Sequence, residues 1–360
     1  MQIALERYGA NPGRSGHEMS LRTAEQLYQC RETAAAFFGA PDPSRVIFVQ
    51  NCTMALNMVI KGLLQNGGRA LVSDLEHNAV MRPLHALSEG GVPRFDTAAV
   101  YHGDTERTVA SFRQKITPQT RCIVCLHASN VFGTVLPIRE LGRLAHAHGI
   151  PLVVDAAQTA GALPIHMQND GIDYLCVAGH KGVYGPMGTG ILLLREGREL
   201  PPLLHGGTGS ASHSPLQPEE YPERLESGTP NVVGICGLCA GLQWVSRYGA
   251  ESIGRREMQW LQRVYEGLAR HRQIKLYTPL PEYGKSSAVI SFNVVGRSGE
   301  EVAQYLNTQH IAVRAGLHCA PAAHCRFGTL SVGTVRISPC AFTGMDQGRI
   351  FLQKITDCFE

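Results

Sequence analysis

Two residues of this 360-residue chain, Lys181 and Asp155, have types and spacing that suggest chemistry most directly. The apolar run at 151–154 ends in Asp155, and Lys181 follows 181 − 155 = 26 residues later, just before a glycine-rich turn. A lysine amine can condense with an aldehyde as a Schiff base. A carboxylate can keep a pyridine nitrogen protonated, so that the ring accepts electrons from a carbanion. Together these are the requirements of pyridoxal phosphate (PLP) chemistry. A surface lysine and a strand-end cap would give the same pair, so the surrounding residues must decide.

Asn51-Cys52-Thr53 directly follows a β-prone run at 46–49 and opens a helical stretch at 53–64. The free backbone N–H groups of a helix start, with the Thr53 hydroxyl, form a phosphate cradle; the same residues also make an ordinary helix cap. His77 offers a flat ring that can lie on a cofactor or sit satisfied in a core. Asn130 and Gln158 stand near strand ends, suited to bonding a phenolic oxygen or to fixing loops.

The cysteines suggest less. Cys122 and Cys125 have a metal-like spacing, but they fall in a strand, where positions i and i+3 face opposite sides. Cys236 and Cys239 can share a helix face, with no second ligand pair nearby in sequence. Cys319, His324 and Cys325 are a rival reading as a metal site, although no metal is expected.

These residues need elements to position them. Strands are expected at 46–49, 69–72, 121–126, 151–154, 174–177 and 190–194, with helices at 53–64, 79–88 and 138–147. Continuous apolar strands alternating with helices imply a mostly parallel sheet covered on both faces. Asn51, His77, Asn130, Asp155 and His180 all fall at or just past strand ends, where such sheets hold their sites. After about residue 250 the pattern becomes a long helix to about 270, strands at 288–294 and 334–337, and a helix at 300–307. The expected architecture is therefore α/β, with a large domain over 11–248 and a smaller α+β domain over 249–360 that also takes residues 1–10. The stretch 206–230, rich in Gly, Ser and Pro, is expected as the longest loop.

Composition narrows the function classes. Hydrophobic residues at 44% and charged residues at 18% allow a large core and argue against disorder. A formal charge of +3 with scattered Lys and Arg gives no nucleic-acid footprint. No apolar run has the length of a membrane span, and no signal-peptide pattern opens the chain. Eleven cysteines in so long a chain suit reduced thiols in the cytoplasm.

From about residue 11 onward the chain resembles the class V aminotransferase family of fold-type I PLP enzymes, and within it the cysteine desulfurases and selenocysteine lyases. The matching segments, in order, begin with Asn51-Cys52-Thr53-Met54-Ala55-Leu56-Asn57, Glu76-His77-Asn78 and His127-Ala128-Ser129-Asn130-Val131-Phe132-Gly133. They continue with Asp155-Ala156-Ala157-Gln158, Gly179-His180-Lys181, Glu226-Ser227-Gly228-Thr229-Pro230-Asn231 and Arg314-Ala315-Gly316-Leu317-His318-Cys319.

The resemblance implies roles. Lys181 carries the cofactor and moves protons, Asp155 pairs with the pyridine nitrogen, and His77 stacks on the ring. Cys52, Thr53 and His180 hold the phosphate, while Asn130 and Gln158 bond the phenolic oxygen. Thr208 reaches the phosphate of a neighbouring subunit, which makes the protein a homodimer. Arg336, with Arg314 nearby, binds the carboxylate of a cysteine-like amino acid. Cys319 takes the sulfur as a persulfide, with alanine released and a sulfur-acceptor protein as possible partner. Its thiolate would be favoured by Arg314, His318 or Arg336, and Gly316 would give the segment mobility.

Two departures stand out. Ala178 replaces a Ser or Thr that donates to the phosphate in relatives. The chain also begins ten residues before Asn11, where relatives carry an Asp-Asn-Ala-Ala-Thr-like stretch, so a truncated start is expected to leave part of the active-site floor missing. The alternatives are another class V activity (selenocysteine lyase, C–S lyase, aminotransferase or epimerase) or an inactive scaffold.

Overall fold

The protein is described by a computed structural model covering residues 1–13, 16–88, 92–210 and 213–358. Its larger sheet comprises β1 (Val46–Val49), β2 (Arg69–Ser73), β3 (Phe95–Ala98), β4 (Thr120–Leu126), β5 (Leu152–Asp155), β6 (Tyr174–Ala178) and β7 (Gly190–Leu194). They lie in the order β1-β7-β6-β5-β4-β2-β3. Only β7 runs against its neighbours. Every residue of β5, β6 and β7 is buried. That is why these strands read as unbroken apolar runs rather than alternating ones.

The helices of this part are α1 (Gln2–Arg7), α2 (Glu18–Phe38), α3 (Cys52–Leu64), α4 (Asn78–Ala86), α5 (Thr105–Lys115), α6 (Ile138–Ala147), α7 (Met167–Asp170) and α8 (Val232–Tyr248). They separate two buried apolar clusters, one on each face of the sheet. Cys125 belongs to one cluster and Cys122 to the other, so the C-x-x-C pair does straddle the sheet.

A second sheet is formed by β8 (Ile274–Leu276), β9 (Ile290–Val294), β10 (Arg314–Gly316) and β11 (Thr334–Ile337), in the order β10-β11-β9-β8, all antiparallel. Residues of α9 (Ala250–Ala269), α10 (Gly299–Thr308) and α12 (Met345–Asp357) close its core around Trp260, Leu261, Phe292, Val302 and Phe351. The short α11 (Pro321–Arg326) lies between β10 and β11. The fold is thus α/β, with a large mostly parallel sheet and a smaller antiparallel one. Within residues 1–10, α1 packs against α8. Among the described residues no helix is long and apolar enough to cross a membrane.

The two sheets meet where the parallel strands end. The loop after β4 is tied to the second sheet by Ser287 N–H donating to Gly133 O at 2.7 Å and Ser291 Oγ–H donating to Val131 O at 2.6 Å. The turn after Lys181 is equally constrained, because Gly182 runs against Gly161. A Cβ built at Gly161 would lie 2.0 Å from the Gly182 carbonyl oxygen, and Gly161 itself has φ of 90°. Only glycine satisfies both conditions. Gly161→Ala should therefore cost at least about 2 kcal/mol, from strain at positive φ plus backbone displacement. Chemical denaturation will measure the loss; an unchanged midpoint would mean the turn can move aside freely.

Candidate active site

The carboxyl ends of β2, β4, β5 and β6 open onto a cavity of about 220 Å3. Asp155 is the last residue of β5, and β6 ends beside it at Ala178. Lys181 follows in the turn that leaves β6. Cys52, Thr53, His77, Asn130, Asp155, Gln158, His180 and Lys181 all line this one cavity. Strand-end placement brings together residues spread over more than a third of the chain.

Asp155 is buried and forms no ion pair among the described residues. Its Oδ1 accepts the Ala157 N–H at 2.9 Å and the Cys52 thiol at 3.4 Å. Burial, then the charge of Asp155, pushes the Cys52 thiol well above its ordinary range, so Cys52 serves as a neutral donor. Asn51 caps α3 by accepting the Met54 N–H at 2.9 Å. That start of α3 leaves N–H groups and the exposed Thr53 hydroxyl toward the cavity.

His77 caps α4, its Nδ1 accepting the Ala79 N–H at 3.0 Å. Burial lowers its pKa, Asp155 opposes this, and Lys181, Arg314 and Arg82 add to the lowering. The ring is therefore neutral near pH 7 and carries its proton on Nε2. His180 is exposed, and its pKa is lowered by partial burial and by Lys181. Ala178, the departure from the family pattern, lines the cavity with no side-chain donor.

Asn130 donates through Nδ2 to His318 O at 2.7 Å, while its Oδ1 is buried without a partner. Its carbonyl accepts from Arg336 at 2.7 Å. Arg336 and Arg314 are cross-strand partners on β11 and β10. Neither pairs with a carboxylate among the described residues, although like charges facing across a ladder are unfavourable. Burial, then Arg314, lowers the Arg336 pKa. Two guanidinium groups without a carboxylate partner have the chemistry to take up an anion.

Cys319 is exposed, with Arg314 Nη2 at 3.7 Å from Sγ. His318 and Cys319 have φ of 49° and 59°, two successive residues in the left-handed region. The turn is pinned on both sides: Asn78 N–H donates to Cys319 O at 2.7 Å, and Asn130 holds His318 O. Two hydrogen bonds thus hold the turn that carries Cys319 in this conformation. His318 is no source of positive charge either, because burial, then Arg336, pulls its pKa down to about 4. Arg314 is the cation in contact with the sulfur.

Four expected site residues, Arg314, Cys319, Arg336 and Thr208, are not among those lining this cavity. Thr208 stands in a different and larger cavity of about 540 Å3, with Arg31, Phe48, Met54, Glu226 and Ser227. There Arg31 and Glu226 form a two-pronged ion pair at 2.8 and 2.7 Å. The rival metal set fares worse: His324 is fully buried and bonds Thr329, while Cys319 and Cys325 are exposed. Among the described residues no group of three His, Cys, Asp or Glu is arranged to hold a metal.

Sequence reading passed over Glu76, whose signal was an acid directly after an apolar strand and beside His77. It is fully buried; Ser73 Oγ–H at 2.5 Å and Leu126 N–H at 3.1 Å both donate to Oε1, and Oε2 has no partner. Burial raises its pKa from 4.5 to about 8, with Asp155 contributing a smaller push. Glu76 therefore holds the ends of β2 and β4 together as a neutral acid. The raised value fixes a sign. Between 4.5 and about 8 the folded protein keeps a proton that the unfolded chain has released. Its contribution is complete below 4.5 and is lost as pH rises through 8. Urea midpoints at pH 5 and pH 8 should differ less in Glu76→Gln than in the parent; an equal difference would remove Glu76 as the source.

The aminotransferase class-V family model matches residues 1–347. A probable cysteine desulfurase of Methanothermobacter thermautotrophicus is 32% identical over 325 residues, covering 88% of this chain and 79% of its own length. One from Pyrococcus abyssi is 31% identical over 355 residues, covering 96% of this chain and 86% of its own. The apo structure of a cysteine desulfurase from Thermococcus onnurineus superposes with a TM-score of 0.89 at 31% identity, covering 99% of this chain and 90% of that one. A match of this extent, on a fold-type I architecture, means that the chain belongs to the class V aminotransferase family.

Proposed function

We propose that the protein is a PLP-dependent cysteine desulfurase, which takes sulfur from L-cysteine onto Cys319 as a persulfide and leaves L-alanine. The observation that carries this reading is the position of Cys319. Its sulfur sits 3.7 Å from Arg314, on a turn bonded to Asn78, the residue after His77 on the rim of the Lys181 cavity.

The residues fit the cofactor. Asp155 is a buried carboxylate with a thiol and an amide for partners but no cation, a costly state that a protonated pyridine nitrogen relieves. The start of α3, Thr53 and His180 provide the donors for a phosphate, and Lys181 provides the amine. When bound, PLP supplies an electron sink for charge developing at the substrate Cα.

The chain's own residues divide the remaining work. Arg336 and Arg314 orient the substrate carboxylate. Lys181 Nζ takes and returns protons at the substrate carbons. The Cys319 thiolate attacks the substrate sulfur, an S–S bond forms, and the C–S bond breaks with its electron pair staying on carbon. Protonation of that fragment gives alanine. Because the Cys319 turn is fixed, a sulfur-acceptor protein is the partner that must approach it. We also propose the division into a large domain over 11–248 and a small one over 249–360.

Cys319→Ser should retain PLP, with the borohydride-reducible adduct mapping to Lys181, and lose alanine formation from cysteine by on the order of 100-fold. Selenocysteine, with its better leaving group, should suffer less. Wild-type turnover by the serine variant would favour a C–S lyase, and protein without PLP at Lys181 would favour a scaffold.

We further propose a homodimer in which Thr208 completes the phosphate site of the neighbouring subunit, since Thr208 stands outside the Lys181 cavity of its own chain. Thr208→Ala should lower PLP retention without dissociating the dimer, read by absorbance and light scattering. A monomer that retains PLP would sink the shared site.

A further inference from the structure

One group of thiols lies outside this chemistry. Cys30 on α2 faces Cys236 and Cys239 on α8, two positions of one helix face. Cys30 and Cys239 share a buried cluster with Leu27, Val232 and Ile235, and Cys236 packs on its edge. The register between the helices is direct: Cys239 Sγ contacts Thr33 Oγ1 at 3.6 Å, and Thr33 lies one turn beyond Cys30. Side-chain amides serve both sulfurs. Gln26 Nε2 donates to Cys30 and Gln243 Nε2 to Cys239, each at 3.6 Å.

We propose that these residues form an oxidisable thiol site distinct from Cys319, in which Cys236 reacts with a hydroperoxide and Cys30 closes a disulfide that ties α2 to α8. Cys236 is the partly exposed member, whereas Cys30 and Cys239 are 1% and 5% exposed. The reacting thiol is therefore the one that solvent reaches. The packing of α2 on α8 gathers the three thiols in and at the edge of one cluster. Their proximity raises Cys30 and lowers Cys236 and Cys239, Cys239 to about 7, so it is exposure that singles out Cys236 as the reacting thiol. Cys52, Cys122, Cys125 and Cys176 behave oppositely, as burial is the largest of the causes that raise each of them. A protonated thiol donating to a thiolate neighbour is the arrangement that favours attack.

The step balances. The Cys236 thiolate attacks the peroxide, an S–O bond forms, the O–O bond breaks, and water or alcohol leaves after protonation. Cys30 sulfur then attacks the Cys236 sulfenic acid, an S–S bond forms, and the hydroxyl leaves as water with the Cys30 proton. The two thiols lose two electrons and the hydroperoxide gains them. The bond has structural reach, because α8 also buttresses the turn after Lys181: a Cβ at Gly241 would meet Val183 O, and one at Gly185 would meet Leu238.

The test uses full-length protein, wild type and Cys319→Ser, treated with limiting hydrogen peroxide, then alkylated and mapped without reduction. The expected result is a linked pair of peptides containing Cys30 and Cys236, lighter by two hydrogens, in both proteins. It should vanish in Cys236→Ser and persist in Cys239→Ser. Cys236 left fully alkylated, a link between Cys30 and Cys239 instead, or a link that needs Cys319 would each overturn the proposal. Cys236 is partly exposed, so its serine variant folds even where a Cys30 variant does not. None of these outcomes depends on the desulfurase reading.

Discussion

The structure turns on a carboxylate buried without a cation. Asp155 ends the central strand β5, between β4 and β6, and the groups around it answer to its charge. Cys52 is kept protonated as a donor, and Glu76 is pushed further toward its neutral form. His77 is the exception, since Asp155 favours its charged form while burial and nearby cations oppose it. The protein itself carries only weak compensation at this point. Lys181 lines the same cavity as this carboxylate.

A second constraint follows from where the two sheets meet. Arg336 of the antiparallel sheet bonds Asn130 of the loop after β4, and Asn130 in turn holds His318 beside Cys319. Arg336 and the turn that carries Cys319 are thus tied to the cavity wall through one asparagine. Two adjacent left-handed residues, His318 and Cys319, store strain that these bonds hold in place. Arg314 and Arg336 add a further imbalance, as two cations on facing strand positions. An anion between them would remove it.

Much of this was legible in the sequence. Unbroken apolar strands gave the parallel sheet, and strand ends gave the places of His77, Asn130, Asp155 and Lys181. What escaped was set by long-range packing. The long helix α2 went unassigned because its buried residues are mixed, including Ser20, Thr23 and Arg31, and Arg31 is buried only through Glu226, far along the chain. The short edge strand β3 has too few residues to show alternation. The charge at Cys319 was misassigned in part, since burial of His318, which makes it neutral, depends on contacts with β11. Glu76 was visible in its motif, but its neutrality depends on Ser73 and Leu126 converging on one oxygen.

The eleven cysteines show the same rule from the side of reactivity. Cys122, Cys125 and Cys176 sit within strands of the large sheet, where burial suppresses the thiolate. Cys319 is exposed and touches a guanidinium. Cys236 and Cys239 meet a third thiol that only the packing of α2 on α8 brings to them. Residue type is constant across the three settings, so reactivity must come from the donors and cations each fold position supplies. Cys319 is set apart by its position alone: an exposed sulfur 3.7 Å from the Arg314 guanidinium, on a turn bonded to Asn78.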